Sequence, residues 1–314
     1  VDLFAGLGGW SCGARQSGYL IAMAVDNDEG ALNIHKHNHP ETAHYRMELG
    51  PETEEQLVRL IRKHVPEGAR WHLHGSPPCQ TISNLRCLHK EDHFDDGMAL
   101  VMWYLNLVFK LKPTTWTFEQ ACEREIMGML RWLRYSHTDT LEFSRVDFAD
   151  YGLCQHRIRV LAGSPTLLNP FLNDPTLRAP PRVVSDLVTP PDNAVFLKSG
   201  TGVTPKPHAT VAHPDGTFTN SSIRRDVRTI HEIAWTCVAY HPHAYLTIDF
   251  KHIRDQTPRE SATLQSFPES YVVHPKGCSK RAAQTAVGNA LPPLIARLLT
   301  GGGRHGVNQV GQLE

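Results

Sequence analysis

Short apolar runs and amphipathic stretches alternate along the first half of this chain. Each apolar run has the length of a buried strand, and each amphipathic stretch repeats its apolar positions at helical spacing. Strands are predicted at the start of the chain and over residues 19–26, 71–75, 114–118, 140–146 and 158–162. Helices are predicted near Ser11 and over residues 30–37, 52–64, 98–111, 123–135 and 290–300. This order is typical of an α/β fold with a doubly wound, mostly parallel sheet and helices on both faces.

The composition and the hydrophobic pattern change at Ser164, after which prolines become frequent and helical periodicity is weak. We expect residues 1–165 to form the main domain and residues 166–281 to form a smaller, loop-rich domain. Residues 282–314 are predicted to form a helix that returns to the main domain, followed by a flexible tail. The chain begins at Val1 without an initiator methionine, so we expect upstream domains to be missing.

Composition narrows the class of protein. Of the 314 residues, 40% are hydrophobic and 20% are charged, as in ordinary globular proteins. The sequence contains no apolar run near the ~20 residues that span a bilayer, and no signal peptide is visible. The seven cysteines are scattered and form no Cys-x-x-Cys pair. Their spacing argues against a disulfide framework or a zinc site and favours a reducing, intracellular compartment, and the histidine spacing suggests no metal site either.

Charge is balanced overall but divided along the chain. Lys and Arg together number 32, as do Asp and Glu. Acidic residues outnumber basic ones over residues 1–154, and basic residues outnumber acidic ones over residues 155–314. A basic half suggests that a polyanion docks there. A chance imbalance on solvated faces explains the charges equally well at this point.

A glycine-rich turn follows the first predicted strand, since residues 4–9 read Phe-Ala-Gly-Leu-Gly-Gly. Glycine lets a backbone adopt positive φ and approach a ligand closely, but many α/β proteins carry such a turn. The next predicted strand ends at Asp26, where doubly wound folds hold a ribose diol through an acid. The alternative is that Asp26 only caps the following helix. The glycine turn before it favours the ribose.

Two prolines precede Cys79 just after a short apolar stretch, in the sequence Gly-Ser-Pro-Pro-Cys-Gln over residues 75–80. Prolines make the loop rigid, which suits the presentation of a thiolate nucleophile at the mouth of a strand. For an isolated Pro-Pro-Cys, a buried structural cysteine in a turn is the more common case. The rest of the chain decides between these two interpretations.

Further motifs follow the glycine turn in a fixed order. Residues 77–80 read Pro-Pro-Cys-Gln, and residues 155–159 read Gln-x-Arg-x-Arg. Residues 257–268 begin with Thr-Pro-Arg-Glu and end with Leu-Gln-Ser-Phe-Pro, and residues 288–293 read Gly-Asn-Ala-x-Pro-Pro. Together they resemble the motifs of the DNA cytosine-5 methyltransferase family, in that family's order and over nearly the whole chain. Chance agreement of such an ordered set is negligible.

The resemblance implies a covalent mechanism. A thiolate that adds to carbon 6 of cytosine activates carbon 5 toward a methyl sulfonium, and the resemblance assigns that addition to Cys79, whose ionisation a nearby positive charge favours. It implies that Glu119 hydrogen-bonds nitrogen 3 of the ring. Arg159, with Arg157 close by, is expected to hold the base oxygen and its developing charge. Because a duplex hides the base, the enzyme must flip it out of the stack.

The same resemblance implies S-adenosylmethionine as methyl donor and S-adenosylhomocysteine as product, in a Rossmann-like class I methyltransferase fold. Phe4 is expected to stack on the adenine, Asp26 to hold the ribose and Asn289 to close the site. The residues expected to bind the cofactor are Phe4, Ala5, Gly6, Leu7, Gly8, Gly9, Asp26, Asn27, Glu48, Leu49, Pro78, Leu100, Asn289 and Ala290.

Double-stranded DNA is the implied partner. Target recognition is expected within residues 166–256, where side chains would read base edges while basic residues hold phosphates. The basic candidates there are Arg178, Arg182, Lys198, Lys206, Arg224, Arg225, Arg228 and Lys251. Each of these, taken alone, is more often a solvated charge. Residues 83–96 resemble the family's mobile loop. The residues expected to contact nucleic acid are Gln80, Ser83, Arg86, Lys90, Gln155, Arg224, Arg225 and Arg259.

Departures from the family pattern leave the essential chemical groups in place. Gln120 stands where an asparagine is usual, Glu48 where an aspartate commonly contacts the adenine, Gly97 where an arginine is frequent and Cys154 where a proline is common. Two other functions stay open. One is RNA cytosine methylation, although the Cys-Phe-Thr signature of the tRNA-modifying branch is not seen. The other is a non-catalytic binding module, which the intact catalytic residues argue against. The expected compartment is the nucleus in a eukaryote, or the cytoplasm or nucleoid in a prokaryote.

Overall fold

The structure is a computed structural model that describes residues 1–78, 92–192, 194–197, 227–239, 242–247 and 252–301. Its larger sheet contains the strands β1 (Asp2–Leu3), β2 (Met23–Asp26), β3 (Ala43–Arg46), β4 (His72–Gly75), β5 (Thr115–Ala121), β6 (Glu142–Asp147) and β7 (Ile158–Gly163). Their order is β3-β2-β1-β4-β5-β7-β6. Strands β1 to β5 run parallel, and β7 is antiparallel to both of its neighbours. The predicted mostly parallel α/β sheet is confirmed.

Helices cover both faces of this sheet. They are α1 (Gly9–Gln16), α2 (Glu29–Asn38), α3 (Glu54–His64), α4 (Asp92–Leu111), α5 (Arg124–Ser136), α6 (Pro165–Asn173), α7 (Pro258–Leu264), α8 (Lys280–Asn289) and α9 (Pro293–Leu299). On one face α3, α4 and α5 pack against the strands, and on the other face α1, α6 and α9 do so. Strand β4 is therefore buried along its whole length, as is usual for a parallel strand with helices on both sides. Within the described ranges, no helix has the length and apolar character to cross a membrane.

A smaller antiparallel sheet forms in the region with many prolines. Its strands are β8 (Val195–Leu197), β9 (Val227–Thr229), β10 (Ala244–Leu246) and β11 (His252–Asp255), in the order β11-β10-β8-β9. This unit and the segment before β7 contribute to one buried cluster. The cluster contains Cys154, Ala234, Cys237, Tyr245 and Leu264. The predicted boundary at residue 165 stays a prediction. Helix α6 lies just beyond it and packs Leu168 and Phe171 into the same cluster as Trp10 of α1.

Two parts of the fold differ from the sequence pattern. The pattern does not predict β3, because its residues Ala-His-Tyr-Arg are largely polar, which suits a strand at the edge of a sheet. The helix predicted over residues 290–300 is α9, which begins only at Pro293, and α8 ends before it at Asn289. The gap between the two helices occurs because Pro292 disfavours a helical conformation at Leu291. Helix α9 packs closely on α1, where a Cβ atom added to Gly13 would lie 2.1 Å from the carbonyl oxygen of Pro293.

Candidate active site

A cavity of about 500 Å³ opens at the carboxyl ends of β1, β2, β4 and β5. Open parallel sheets bind their ligands at this edge, where the strand order reverses. Here the order reverses between β1 and β4, which are neighbours in the sheet. The volume lies within the range of cofactor and small-molecule sites.

The glycine turn between β1 and α1 forms one wall of the cavity. Phe4, Gly6 and Gly8 have φ values of 56°, 53° and 100°, in the left-handed region that favours glycine. A Cβ atom at Gly6 would meet nothing within 4 Å, so this backbone faces open space. The ring of Phe4 lies edge-on to Trp103, with 6.4 Å between ring centroids. The turn thus presents bare backbone and one aromatic ring to a ligand.

Asp26 fixes the turn from the end of β2. Its Oδ2 accepts a hydrogen bond of 2.8 Å from the backbone N–H of Gly6, and its Oδ1 accepts one of 2.8 Å from Asp28. Burial raises the pKa of this carboxyl despite these hydrogen bonds. The helix cap of α2 is Asp28, whose side chain accepts from the N–H of Ala31 at 3.1 Å. The alternative that Asp26 only caps the helix is therefore wrong.

Nearly all of the residues predicted to bind a cofactor line this cavity, and they come from the glycine turn, β2, the loops after β3 and β4, α4 and the end of α8. They are Phe4, Ala5, Gly6, Gly9, Asp26, Asn27, Glu48, Leu49, Pro78, Leu100, Asn289 and Ala290. Leu7 and Gly8 are not among the residues that line it, and their part in cofactor binding stays a prediction. Leu7 is fully buried in a core cluster with Cys12, Ile34 and Phe267. A Cβ atom at Gly8 would lie 2.5 Å from the hydroxyl oxygen of Tyr271, behind the turn.

Glu119 and Arg159 form an ion pair at the opposite side of the cavity lining. The Nε atom of Arg159 lies 3.0 Å from Oε1 of Glu119, and only 19% and 7% of their side chains are exposed. Glu119 lies within β5 rather than after it, and β7 carries Arg159. The antiparallel register pairs Ala121 with Arg159, which brings both charged groups to the cavity.

The two prolines that precede Cys79 also line the cavity. The amide Nε2 of Gln120 donates a hydrogen bond of 2.7 Å to the carbonyl oxygen of Pro77, and Oε1 of Gln120 accepts one of 2.7 Å from the N–H of Ala121. Gln120 is 2% exposed. The longer amide at this position thus spans from β5 to the loop that leads to Cys79.

Several predicted residues lie outside the part of the chain that the structure describes. They are Cys79, Gln80, Ser83, Arg86, Lys90, Lys198, Lys206, Arg224, Arg225 and Lys251. Their roles stay predictions that rest on the sequence.

Arg157 lines the cavity and binds several backbone carbonyl oxygens. It is 2% exposed. Its guanidinium donates to the carbonyl oxygen of Cys237 at 3.3 Å, and to those of Gly288 and Ala290 at 3.2 and 3.0 Å. It therefore links β7, the smaller unit and the end of α8, next to Asn289. The expected contact of Arg157 with the base stays a prediction.

Two residues predicted to contact DNA make hydrogen bonds within the protein, and their contact with DNA stays a prediction. Gln155 is fully buried, where its Nε2 donates to the carbonyl of Leu264 and its Oε1 accepts from the N–H of Cys237. Arg259 donates to the carbonyl oxygens of the segment after α7, at residues 267, 268 and 271. Their hydrogen-bonding groups are thus used to join segments of the fold.

Other basic candidates make contacts within the protein. Arg178 pairs with Asp150 at 3.2 Å and lies over the ring of Tyr151, 4.3 Å from its centroid. Arg228 lies over the ring of Trp235 at 3.5 Å. Arg182 donates to a backbone carbonyl four residues ahead. In the ranges that the structure describes, no group of His, Cys, Asp or Glu has the arrangement to hold a metal ion.

The sequence patterns missed part of the cavity wall. Asp2, Trp10 and His74 line it. Trp10 stacks on His74 with 4.1 Å between ring centroids and on His72 with 4.9 Å. Burial lowers the pKa of His74 to about 3, so the imidazole is neutral. The only signal in the sequence was the alternation of histidines in a strand that is otherwise apolar.

The chain matches a known protein family over most of its length. Residues 1–164 and 202–301 match the model of the family described as C-5 cytosine-specific DNA methylase. The chain belongs to this family. The match confirms the resemblance found in the sequence and, with it, the class of enzyme, a DNA cytosine-5 methyltransferase. Methyltransferases with this fold depend on S-adenosylmethionine.

Curated relatives of this methyltransferase include bacterial type II methyltransferases. M.HgiDI of Herpetosiphon aurantiacus is 34% identical over 124 residues, which cover 40% of this chain and 37% of that protein. M.HindV of Haemophilus influenzae is 26% identical over 319 residues, which cover 95% of this chain and 94% of that protein. The chain thus spans about a third of the first relative and nearly all of the second.

Solved structures show the same fold. The Dnmt2 methyltransferase of S. pombe superposes on this chain with a TM-score of 0.62 at 14% identity, and the superposition covers 95% of each chain. The EhMeth methyltransferase of Entamoeba histolytica superposes with a TM-score of 0.55 at 16% identity, again over 95% of each chain. These likenesses confirm the class I methyltransferase fold.

Proposed function

We propose that this chain transfers a methyl group from S-adenosylmethionine to carbon 5 of cytosine in double-stranded DNA. One observation carries the proposal. A single cavity is lined by the glycine turn with Asp26, by the Glu119–Arg159 ion pair and by the two prolines before Cys79. Cofactor binding and base chemistry therefore meet in one place.

The residues of the cavity fit a nucleoside joined to an amino acid. The bare backbone at Gly6 leaves room for a ligand, and Asp26 offers a carboxylate whose oxygens have lone pairs left beyond their backbone hydrogen bonds. Asp26 would hold the ribose, Phe4 and Glu48 the adenine, and Asn289 the remaining end. When bound, S-adenosylmethionine supplies an electrophilic methyl group.

Cys79 is the nucleophile in this proposal. Its thiolate forms a C–S bond at carbon 6 of cytosine, and the electron pair of the 5,6 double bond becomes available at carbon 5 for the methyl group. Loss of the proton from carbon 5 then restores the double bond and expels the Cys79 thiolate. Gln120 supports this step by holding the carbonyl oxygen of Pro77 at 2.7 Å.

Glu119 and Arg159 would act on the flipped base. A proton held between the Glu119 carboxyl and nitrogen 3 would withdraw electrons from the ring and favour addition at carbon 6. Arg159 orients Glu119 through their 3.0 Å contact. Its positive charge would also stabilise the charge that develops on the base oxygen, in a site where little water weakens the interaction.

Recognition of the target sequence is proposed for residues 166–256, with Arg224 and Arg225 among the residues that hold the DNA. The family to which the chain belongs implies DNA as the substrate, and the proposal takes this DNA to be double-stranded. An enzyme that acts on DNA would work in the nucleus of a eukaryote, or in the cytoplasm or nucleoid of a prokaryote.

Methyl transfer from labelled S-adenosylmethionine tests the proposal. The protein is offered duplex DNA and RNA of matched sequence, and label in each nucleic acid is counted. We expect label in DNA, its loss in Cys79→Ser, and wild-type transfer in the control Cys278→Ser, whose thiol lies outside the cavity lining. Label in RNA alone would favour RNA methylation, and transfer by Cys79→Ser would contradict the covalent mechanism.

A further inference from the structure

The hydroxyl of Tyr271 reaches the back of the glycine turn from the segment that follows α7. It donates a hydrogen bond of 2.5 Å to the carbonyl oxygen of Leu7, 264 residues away in sequence. Tyr271 is 6% exposed and belongs to the cluster that contains Leu7 and Ile34. It stands behind the turn, since the cavity lining includes Gly6 and Gly9 but not Tyr271. Its contact therefore acts on the turn and leaves the ligand side free.

The neighbours of this hydroxyl fix the direction in which its proton points. The guanidinium of Arg15 lies 3.3 Å from Nδ1 of His39, and because Arg only donates, Nδ1 must accept. The neutral ring then carries its proton on Nε2, which lies 3.3 Å from the hydroxyl oxygen of Tyr271. The hydroxyl accepts from His39 and donates to Leu7. Burial raises the pKa of Tyr271 well above its ordinary value, so the donor proton is retained.

The backbone at Gly8 shows how closely the support fits. Its φ of 100° lies in the left-handed region. A Cβ atom there would lie 2.5 Å from the hydroxyl oxygen of Tyr271 and 2.9 Å from Cδ2 of His35. The turn is thus held from behind by two side chains that leave no room for any residue other than glycine.

Arg259 holds the segment that carries Tyr271. Its guanidinium donates to the carbonyl oxygens of Phe267, Pro268 and Tyr271 at 3.2, 3.2 and 2.8 Å. A planar guanidinium can serve several acceptors at once, whereas an ammonium group cannot reproduce that arrangement. The position of the hydroxyl therefore depends on α7, in the part of the chain next to the smaller unit.

We propose that Tyr271 is a positioning residue for cofactor binding, because its hydroxyl holds the Leu7 carbonyl and thereby fixes the glycine turn in the conformation that receives the cofactor. This inference rests on the proposed function, which supplies the identity of the cofactor. Tyr271 touches neither the cofactor nor the reacting base in this account.

Titration of the protein with S-adenosylhomocysteine in a calorimeter tests the inference. Tyr271→Phe removes only the hydroxyl, and we expect its Kd to rise about threefold to tenfold, as for the loss of one hydrogen bond. The matched control is Tyr151→Phe, whose buried hydroxyl donates to the carbonyl oxygen of Phe171 and not to the turn, and it should keep the wild-type Kd. A wild-type Kd in Tyr271→Phe overturns the inference. A wild-type protein that does not bind the ligand overturns the proposed function instead.

Two further measurements separate positioning from mere structural support. In steady-state transfer assays, Tyr271→Phe should raise the KM for S-adenosylmethionine and leave kcat within about twofold. The reason is that the hydroxyl favours cofactor binding equally in the ground state and the transition state. A lower Tm with an unchanged KM would show a structural role only. If Tyr271→Phe fails to fold, Arg259→Lys decides. It keeps the hydroxyl but loosens its segment, so we expect weaker binding of S-adenosylhomocysteine, and wild-type affinity would contradict the proposal.

Discussion

The Nε atom of Arg159 lies 3.0 Å from Oε1 of Glu119, and the two residues come from adjacent antiparallel strands. Their side chains are largely buried, and electrostatic contacts are stronger in the protein interior than in water. The backbone register of β5 and β7 sets the distance, so the pair is preorganised before any base arrives. This arrangement explains how a carboxyl group in a strand can be aimed into the cavity with a fixed orientation.

Glu119→Gln should abolish most of the methyl transfer. The amide keeps the shape of the side chain but cannot exchange a proton with the base, so we expect the rate to fall about a hundredfold or more. Binding of S-adenosylhomocysteine should stay within about twofold, because Glu119 acts on the base. The control is Glu142→Gln, which breaks a 3.0 Å ion pair with Arg134 outside the cavity lining. A wild-type rate in Glu119→Gln would remove Glu119 from the mechanism.

Gln120→Ala should slow the covalent step. Without the 2.7 Å hydrogen bond to Pro77, the loop that leads to Cys79 loses its tie to β5. A nucleophile displaced by a fraction of an ångström reacts more slowly, so we expect kcat to fall about tenfold or more. Gln120→Asn should behave similarly, because the shorter side chain falls short of Pro77. Stopped-flow transfer assays with the exposed Gln16→Ala as control check this, and unchanged kcat in both variants would show that the contact is dispensable.

The alternation of apolar runs was sufficient to predict the parallel sheet, because strands buried on both faces have a strong apolar signal. It was insufficient for β3, whose edge position tolerates polar residues such as His44 and Arg46. The pattern also began the C-terminal helix three residues too early, because it does not show that the helix starts only after Pro292. Local pattern thus predicts burial better than it predicts where an element ends.

The candidate site was predictable where a residue acts through its position in a motif. Phe4, Gly6 and Asp26 line the cavity as the motif implies. The sequence did not reveal that Gln155, Arg157 and Arg259 donate hydrogen bonds to backbone carbonyl oxygens of other segments. Sequence does not show which of two nearby arginines is buried, because that depends on contacts between segments far apart in the chain.

Arg157→Met should destabilise the protein more than a surface change does. The substitution leaves the carbonyl oxygens of Cys237, Gly288 and Ala290 without their charged donor. We expect the free energy of unfolding to fall by about 3 kcal/mol or more. Arg178→Met removes an exposed pair with Asp150 and should cost less than about 1 kcal/mol. Urea denaturation of the two variants measures the difference, and equal losses would contradict the role given to Arg157.

His39 should make stability depend on pH. Burial and the charge of Arg15 lower its pKa to about 4 in the folded protein, against about 6.5 in the unfolded chain. Between these values the unfolded state binds the proton and the folded state does not. The contribution to stability is therefore complete above about pH 6.5 and is lost as the pH falls toward 4.

Replacement of this histidine tests the pH effect. Glu41, His44 and His35 also face His39, so the wild type alone does not isolate it. Urea denaturation at pH 7.5 and pH 5 should show that His39→Gln loses about 2 kcal/mol less stability on acidification than the wild type. The exposed His252→Gln should behave like the wild type. An identical pH dependence in His39→Gln would show that folding does not lower the pKa of His39.

The most direct test of the account traps the covalent bond to Cys79. The protein is incubated with labelled S-adenosylmethionine and duplex DNA that contains 5-fluorocytosine. Fluorine replaces the proton that must leave carbon 5, so elimination stops and the covalent adduct remains. A denaturing gel then separates free protein from any adduct. The account predicts a labelled protein–DNA adduct in the wild type, none in Cys79→Ala, and an unchanged amount in Cys278→Ala. An adduct that persists in Cys79→Ala, or a wild type that methylates cytosine in DNA yet is never trapped, would contradict it.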